Sequence, residues 1–431
     1  MVETSVERNL SVLEELYFLA DRICASQFVL MARVEKPIEE EALRLALDRV
    51  QIIHWQLRAR IRVSTSGALF FNFENVPEIP LVVIQERQEH IVEQIESELN
   101  DKIVPWSGPL ARCVMVRHPE GSQSIILVLS HYIADGLSAV ILLRYIIDFS
   151  RTGLEVLKFD AYGGPLEQRV PHTYTVLHTL GGAVRRVINR LHGPKTLQPL
   201  AHSNNPRVRL VTSELDAYTT SLLATRSREE GVSVHAALCA AQALALDRVL
   251  CRGAEAKCSL SHAVDLRRKI GASREFGIFS VTVVTNHVVS AAGSDFWSLA
   301  REIGDKLSGS LRRGDAFGAL RLAKFLVIFG RAIGISRRME KLGPRIMRLL
   351  GRRHFPISNL GLIGSMHGES EFEVEEIDGA LTGPGWAIAP LAGTFGGRLR
   401  WNFMYVWPDI SSKQATEVAD QAVFELKNGL D

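Results

Sequence analysis

Residues 124–150, SIILVLSHYIADGLSAVILLRYIIDFS, constrain this chain more than any other stretch. Ile125 to Leu129 are uninterrupted β-formers after a turn-like Pro119-Glu120-Gly121-Ser122, and Cys113 to Val116 before the turn completes a hairpin, which predicts a buried strand. From Leu137 to Phe149 the residues are apolar on every side with no proline or glycine, which predicts a helix buried nearly all round. His131, Asp135 and Gly136 are therefore concentrated at a strand-to-helix junction. A neutral imidazole can take a proton from an attacking hydroxyl or amine if its tautomer is held, so His131 is the candidate base. Asp135, flanked by apolar segments, needs a cationic partner from elsewhere in the chain, because an isolated buried charge costs several kcal/mol. Gly136 permits a tight backbone turn and leaves room beside the base. On residue types alone, a satisfied core histidine followed by a plain Asp-Gly turn stands equally well.

The balance of the chain is that of a globular protein. It has 431 residues, 46% hydrophobic and 23% charged, which is enough for about two domains and a large core. A formal net charge of +2 and 7% aromatic residues give no stacking pattern beside basic residues, so nucleic acid is disfavoured as a partner. The five cysteines, Cys24, Cys113, Cys239, Cys251 and Cys258, show no paired short spacing. Their number and spacing suggest neither a disulfide framework nor a zinc site, and fit a reducing cytoplasm. No export signal or spanning helix is expected from the charged start MVETSVERNL and the charge-broken apolar stretches.

In chain order, Ser11 with Glu14 reads as a capping box for a helix from Val12 to Asp21. Ser26 to Val34 reads as a strand and Ile38 to Val50 as an amphipathic helix. Between Thr152 and Pro206, glycines and prolines interrupt every periodic segment except a short basic helix near Val184 to Leu191, as expected of a linker. The expected division is a first lobe at 1–180, a linker at 181–206 and a second lobe at 207–431. In the second lobe a strand is expected at Val208 to Val211, helices at Ser213 to Glu230 and Ser233 to Leu250, a short strand around Ser259-Leu260, and strand-like chain from Phe276 to Val289. The six residues Leu45 to Val50 recur as Leu244 to Val249, compatible with a duplicated lobe. Gly318 to Arg353 is rich in arginine and lysine, with Glu340 its only acid. Such a run is ordinarily a solvated helix face; the functional alternatives are docking of an acidic carrier protein, phosphate contacts, or contact with anionic lipid.

His131-Tyr-Ile-Ala-Asp135-Gly136 at a strand end, followed by an apolar helix, resembles the active-site motif of the chloramphenicol acetyltransferase-like superfamily. That superfamily includes condensation domains, plant BAHD acyltransferases, alcohol acetyltransferases and polyketide-associated acyltransferases. Where many condensation domains have a first histidine this chain has Ser130, which sets it nearer the acyltransferase branches. Val264-Asp265-Leu266-Arg267 resembles the BAHD and polyketide-associated motif whose arginine pairs with the aspartate of the histidine motif, which makes Arg267 the partner implied for Asp135. His54 sits where the family has His-Pro-x-Leu-Arg, with Trp55 in place of the proline, and reads as structural. Ser358 and Asn359 resemble the Ser-Asn-x-Gly of alcohol acetyltransferase-like members, and the resemblance places Asn286 facing the cleft. The glycine-bent turn Gly393 to Tyr405 falls where the family's C-terminal lobe supplies active-site wall, so Thr394 and Asn402, with Ser130, complete the implied substrate-binding set.

The resemblance implies an α/β (α+β) fold of two lobes, each a mixed sheet with flanking helices, forming a V-shaped pseudo-dimer with a central tunnel. It implies an acyltransferase acting as a monomer, with no metal and no permanently bound cofactor. An acyl-coenzyme A or acyl-phosphopantetheine donor and an alcohol or amine acceptor would meet in the tunnel. A carrier protein would dock on the basic 321–353 region. The alternative class is a catalytically silent condensation-like protein that binds a carrier protein or partner. Hydrolase, kinase, dinucleotide and zinc-protease readings lack their anchors: the sequence has no Gly-x-Ser-x-Gly, glycine-rich phosphate loop, Gly-x-Gly-x-x-Gly or His-Glu-x-x-His.

Overall fold

The chain is described here from a computed structural model, which covers residues 7–22, 25–65, 67–153, 159–169, 206–250, 256–289, 295–318, 320, 324, 327, 355–364, 374–383 and 386–431. Most of the expected linker and most of the basic run lie outside these residues.

Two mixed sheets carry the molecule. The first has the spatial order β12 (Glu376–Leu381), β2 (Gln27–Val34), β7 (Gln123–Ser130), β6 (Ala111–Arg117), β5 (Leu81–Gln85). All its pairings are antiparallel except β5 with β6. The second runs β10 (Ser280–Val289), β9 (Ala256–Asp265), β11 (Phe355–Leu362), β13 (Ile388–Phe395), β14 (Arg398–Trp407), β8 (Arg207–Leu215), with β11 parallel to both of its neighbours. A small sheet of β1 (Glu7–Asn9), β4 (Leu69–Asn72) and β3 (Arg60–Val63) flanks the first lobe. One strand crosses between the halves of the chain: β12, from the second half, pairs with β2 along its whole length, from Glu376 opposite Arg33 to Leu381 opposite Phe28.

All eight positions of β7 are buried, because neighbouring strands occupy both edges and helices cover its faces. That is why the sequence there is a continuous apolar run rather than an alternating one. The helix that follows, Gly136–Thr152, is buried at every position from Ser138 to Ile147 and stops where Gly153 takes a left-handed conformation. In the second lobe the Val234–Leu250 helix is buried continuously from Ala236 to Asp247, packed against the Phe296–Arg312 and Ser412–Leu430 helices. Its run of alanines lets those helices come close.

Two boundaries differ from the sequence reading, both because strand pairing extends further than local pattern suggests. β8 continues to Leu215, held opposite residues 399–407 of β14, so the next helix starts at Ala217 with Asp216 as its N-cap rather than at Ser213. β9 runs to Asp265, paired with β10 throughout, so the Val264-Asp265 of the arginine motif closes a strand. The capping box at Ser11 and Glu14 is formed as expected. Among the described residues no single helix is long and apolar enough to cross a membrane.

Candidate active site

The Ser130-to-Gly136 junction is shaped by hydrogen bonds that turn a strand into a helix within five residues. The His131 backbone N–H donates to Ser26 O at 2.8 Å, and Asp135, in extended conformation, caps the helix by accepting from Ser138 N–H at 3.0 Å. His131 is thereby held at the mouth of the turn. Its Nδ1 lies 3.1 Å from Ala134 O, which accepts only, so Nδ1 carries the proton and Nε2 keeps its lone pair. Tyr17 stacks on the ring, with centroids 4.2 Å apart and planes 14° from parallel, and Phe28 meets it edge-on at 5.3 Å. Burial lowers the imidazole pKa; its own hydrogen bonds and the Asp135 charge oppose that without reversing it. The ring is therefore neutral at pH 7.

Asp135 is 2% exposed and does not touch the imidazole as a partner. Its carboxylate takes two parallel bonds from Arg267, Nη1 to Oδ2 and Nη2 to Oδ1, each 2.8 Å, and a further bond from Phe279 N–H at 2.9 Å. Burial alone would raise its pKa, but the Arg267 guanidinium and the backbone donors hold it below the ordinary carboxylate value. Arg267, 3% exposed, also donates to Asp265 Oδ1 at 3.0 Å and to Ser138 Oγ at 2.7 Å, and lies over the Phe279 ring at 4.6 Å. Ser138 Oγ donates in turn to Gly277 O and accepts from Gly277 N–H, at 2.8 and 3.0 Å. The pair is thus a lock between the lobes: the first supplies Asp135 and Ser138, the second Arg267, Gly277 and Phe279.

A Cβ on Gly136 would lie 2.6 Å from Cδ2 of Leu360, so the missing side chain also lets β11 pack close to the turn. His131, Asp135, Gly136 and Arg267 all line a cavity of about 590 Å³ between the two sheets. Its walls are largely apolar, with Leu13, Leu16, Leu19, Phe28, Leu381 and Trp386 among them, and its polar edge includes Ser261, Ser280 and Thr282.

Of the implied substrate-binding residues, Ser358 and Asn359 line this cavity, although Asn359 Oδ1 is already bonded to Gly361 N–H at 2.8 Å. Ser130, Asn286, Thr394 and Asn402 do not line it. Ser130 is 2% exposed in β7 and its neighbour His131 takes the cavity position. Asn286 shares the face of β10 that carries Ser280 and Thr282, but lies further along and accepts from Ser259 Oγ at 2.6 Å. Thr394 sits in β13 with its carbonyl bonded to Ile363 N–H, and Asn402 is buried against Asp378 and Gly379. His54 is packed between Phe159 and Phe276, and burial lowers its pKa to about 3, as befits a neutral structural histidine.

Sequence reasoning missed Tyr17, Ser138 and Phe279. Ser138 had a legible signal, since it stands at the third helical position after an aspartate N-cap. Tyr17 had none, because nothing local to an amphipathic helix says that one aromatic will lie on a distant imidazole.

Comparisons agree with this architecture. Residues 204–382 match the family model described as the C-terminus of phthiocerol/phthiodiolone dimycocerosyl transferase. Among solved structures, the first condensation domain of the calcium-dependent antibiotic synthetase, in complex with a substrate analogue, superposes with a TM-score of 0.75 at 16% identity, covering 100% of this chain and 97% of that one. Polyketide synthase associated protein 5 from Mycobacterium tuberculosis gives 0.66 at 16% identity, with 98% of each chain covered. Trichothecene 15-O-acetyltransferase from Fusarium sporotrichioides gives 0.69 at 14% identity, covering 98% of this chain and 95% of that one. A sequence comparison with curated proteins gives no match. The chain thus shares the two-lobed fold of these condensation and acyltransferase domains, and its residues 204–382 are similar to the C-terminal part of the dimycocerosyl transferase family.

Proposed function

We propose that this protein transfers an acyl group from a thioester, carried by coenzyme A or an acyl carrier protein, to an alcohol or amine acceptor, forming an ester or amide in lipid, polyketide or peptide secondary metabolism. The observation that carries the reading is the state of His131: its Nδ1 proton is committed to Ala134 O, and the ring opens onto an apolar-walled cavity of about 590 Å³. A cavity of that size suits a small organic ligand rather than a polymer. In the proposed reaction the acceptor O–H or N–H gives its proton to His131 Nε2 as its heteroatom attacks the thioester carbonyl. The C–S bond of the tetrahedral adduct then breaks, and the imidazolium returns the proton to the thiolate. The hydroxyls of Ser261, Thr282 and Ser358, on the cavity wall, are the donors available to the oxyanion. Asp135 acts by holding the turn that aims His131, not by relaying the proton, since its oxygens are occupied by Arg267, Ser138 and Phe279.

For the donor, we infer from its charge that the basic run 321–353 receives an acidic carrier protein. Leu320 of the wall immediately precedes the run, and Lys324 within it is exposed. The test is release of free thiol from an acyl thioester with and without an alcohol or amine. Acceptor-dependent release supports the transferase; binding of the thioester or carrier without release supports the catalytically silent alternative.

A further inference from the structure

On the far side of β9 from the cavity, a second group of polar side chains is sealed into the second lobe. His235 and Cys239 stand one turn apart on the Val234–Leu250 helix, and His262 reaches them from β9. Cys239 and His262 are fully buried, and His235 is half-buried. His235 Nε2 lies 3.0 Å from His262 Nδ1, and Cys239 Sγ lies 3.5 and 3.7 Å from those two nitrogens. Tetrahedral coordination with metal–nitrogen bonds of about 2.0–2.1 Å and a metal–sulfur bond of about 2.3 Å sets neighbouring donors roughly 3.3–3.6 Å apart. The three edges of this triangle bracket that value.

The surroundings fix which nitrogen of His262 points inward. Starting at the surface, Glu302 Oε1 lies 3.1 Å from His287 Nδ1, which therefore carries the proton. His287 Nε2 then accepts, at 2.7 Å, from Thr285 Oγ1, whose single hydrogen is spent on it. His262 Nε2, 2.8 Å from the same oxygen, must donate to it. Nδ1 of His262 is thus left with a lone pair directed at His235 and Cys239. A second set of hydrogen bonds that selects the ligand tautomer in this way is the usual companion of a metal-bound imidazole. Burial also pushes the pKa of His235 to about 4 and of His262 to about 3, so both rings are neutral.

We propose that His235, Cys239 and His262 form a binding site for a zinc-class divalent cation, with two imidazoles and one thiolate as protein ligands and a water in the fourth position. Imidazole with thiolate selects zinc or cobalt over magnesium or calcium. On binding, Cys239 loses its thiol proton to solvent. The cysteine spacing gave no hint of this site because only one ligand is a cysteine and the third lies on another element, 23 residues on. Its position gives it a consequence: the cation pins the helix to the back of β9, whose front carries Ser261 and Ala263 on the cavity wall and whose end leads into Asp265 and Arg267.

The test uses the full chain, stripped with a chelator and titrated with cobalt(II). The expected result is one equivalent bound per chain, a thiolate-to-cobalt charge-transfer band, visible bands of tetrahedral intensity, displacement by zinc, and a rise in Tm. Cys239→Ser should abolish the charge-transfer band, and His235→Asn, at the half-buried end of the cluster, should weaken binding sharply without threatening the core. Thr285→Val, which cuts the relay, should weaken cobalt binding roughly 10- to 100-fold and leave the charge-transfer band in place. A spectrum of octahedral aqueous cobalt only, or a charge-transfer band that survives in Cys239→Ser, would overturn the site.

Discussion

At His131 the proposed chemistry turns on one lone pair. Because Ala134 O can only accept, the ring is held with Nδ1 protonated and Nε2 basic, and removing the ring should remove the base without disturbing the fold. His131→Ala is expected to lower kcat/KM by about 10²–10⁴-fold. The pH profile carries a second expectation. Burial depresses the pKa of His131, so the base stays unprotonated to lower pH than a free imidazole does. The acid limb of kcat/KM should therefore fall below pH ~6.5, the value for an unperturbed histidine. An acid limb above that value would mean that the imidazolium is stabilised in the site. Gly136 belongs to the same scale. A methyl group there meets Leu360 at 2.6 Å, so Gly136→Ala should cost about 1–3 kcal/mol by overpacking, and Leu360→Ala in the same chain should recover part of it. Thermal unfolding of the single and double variants measures both.

At the scale of the element, the junction between β7 and the Gly136–Thr152 helix is held by a charge pair that water does not reach. Removing either Asp135 or Arg267 leaves the other buried and unpaired, and should destabilise the protein by roughly 3–5 kcal/mol in denaturant unfolding. The sign of the pH dependence follows from the same pair. The folded pKa of Asp135 lies below its unfolded value, so its contribution to stability is complete above about pH 4 and lost as pH falls through the folded value. This lock was legible in part. The sequence called for a buried cation opposite Asp135, and the resemblance pointed to Arg267, which the structure places 2.8 Å away. The Ser138 N–H cap on Asp135 was readable locally; what pattern could not reveal is that Ser138 Oγ accepts from Arg267 and that the Phe279 N–H completes the shell, because those contacts join residues more than 120 positions apart.

At the scale of the whole molecule, the strands and helices with strong local signals were readable, and the long-range pairings were not. The capping box at Ser11 and the continuous apolar run of β7 fixed their elements locally. The crossing of β12 into the first lobe's sheet has no local signature, because Glu376–Leu381 would fit either sheet. The same limit explains the four residues that the family pattern placed in the substrate set, Ser130, Asn286, Thr394 and Asn402: none of them lines the cavity, because which strand and which position along it reach the cavity is decided by the long-range pairings. The basic run is a whole-molecule feature as well. If it receives an acidic carrier, charge reversal at Arg337, Arg338 and Arg345 should raise KM for a carrier-bound donor and spare a small synthetic thioester. Carrier-dependent kcat/KM should also fall with ionic strength, since exposed attraction is screened beyond about 10 Å at 0.1 M salt. Equal responses from both donors would make the run a solvated face.

The measurement that bears most directly on the central claim is thiol release from an acyl thioester by wild-type protein and by His131→Ala, each with and without an alcohol or amine acceptor. The account predicts acceptor-dependent release by the wild type, reduced about 10²–10⁴-fold in a variant that unfolds at the same temperature. Acceptor-dependent release that stays within a few-fold of wild type in His131→Ala would contradict it.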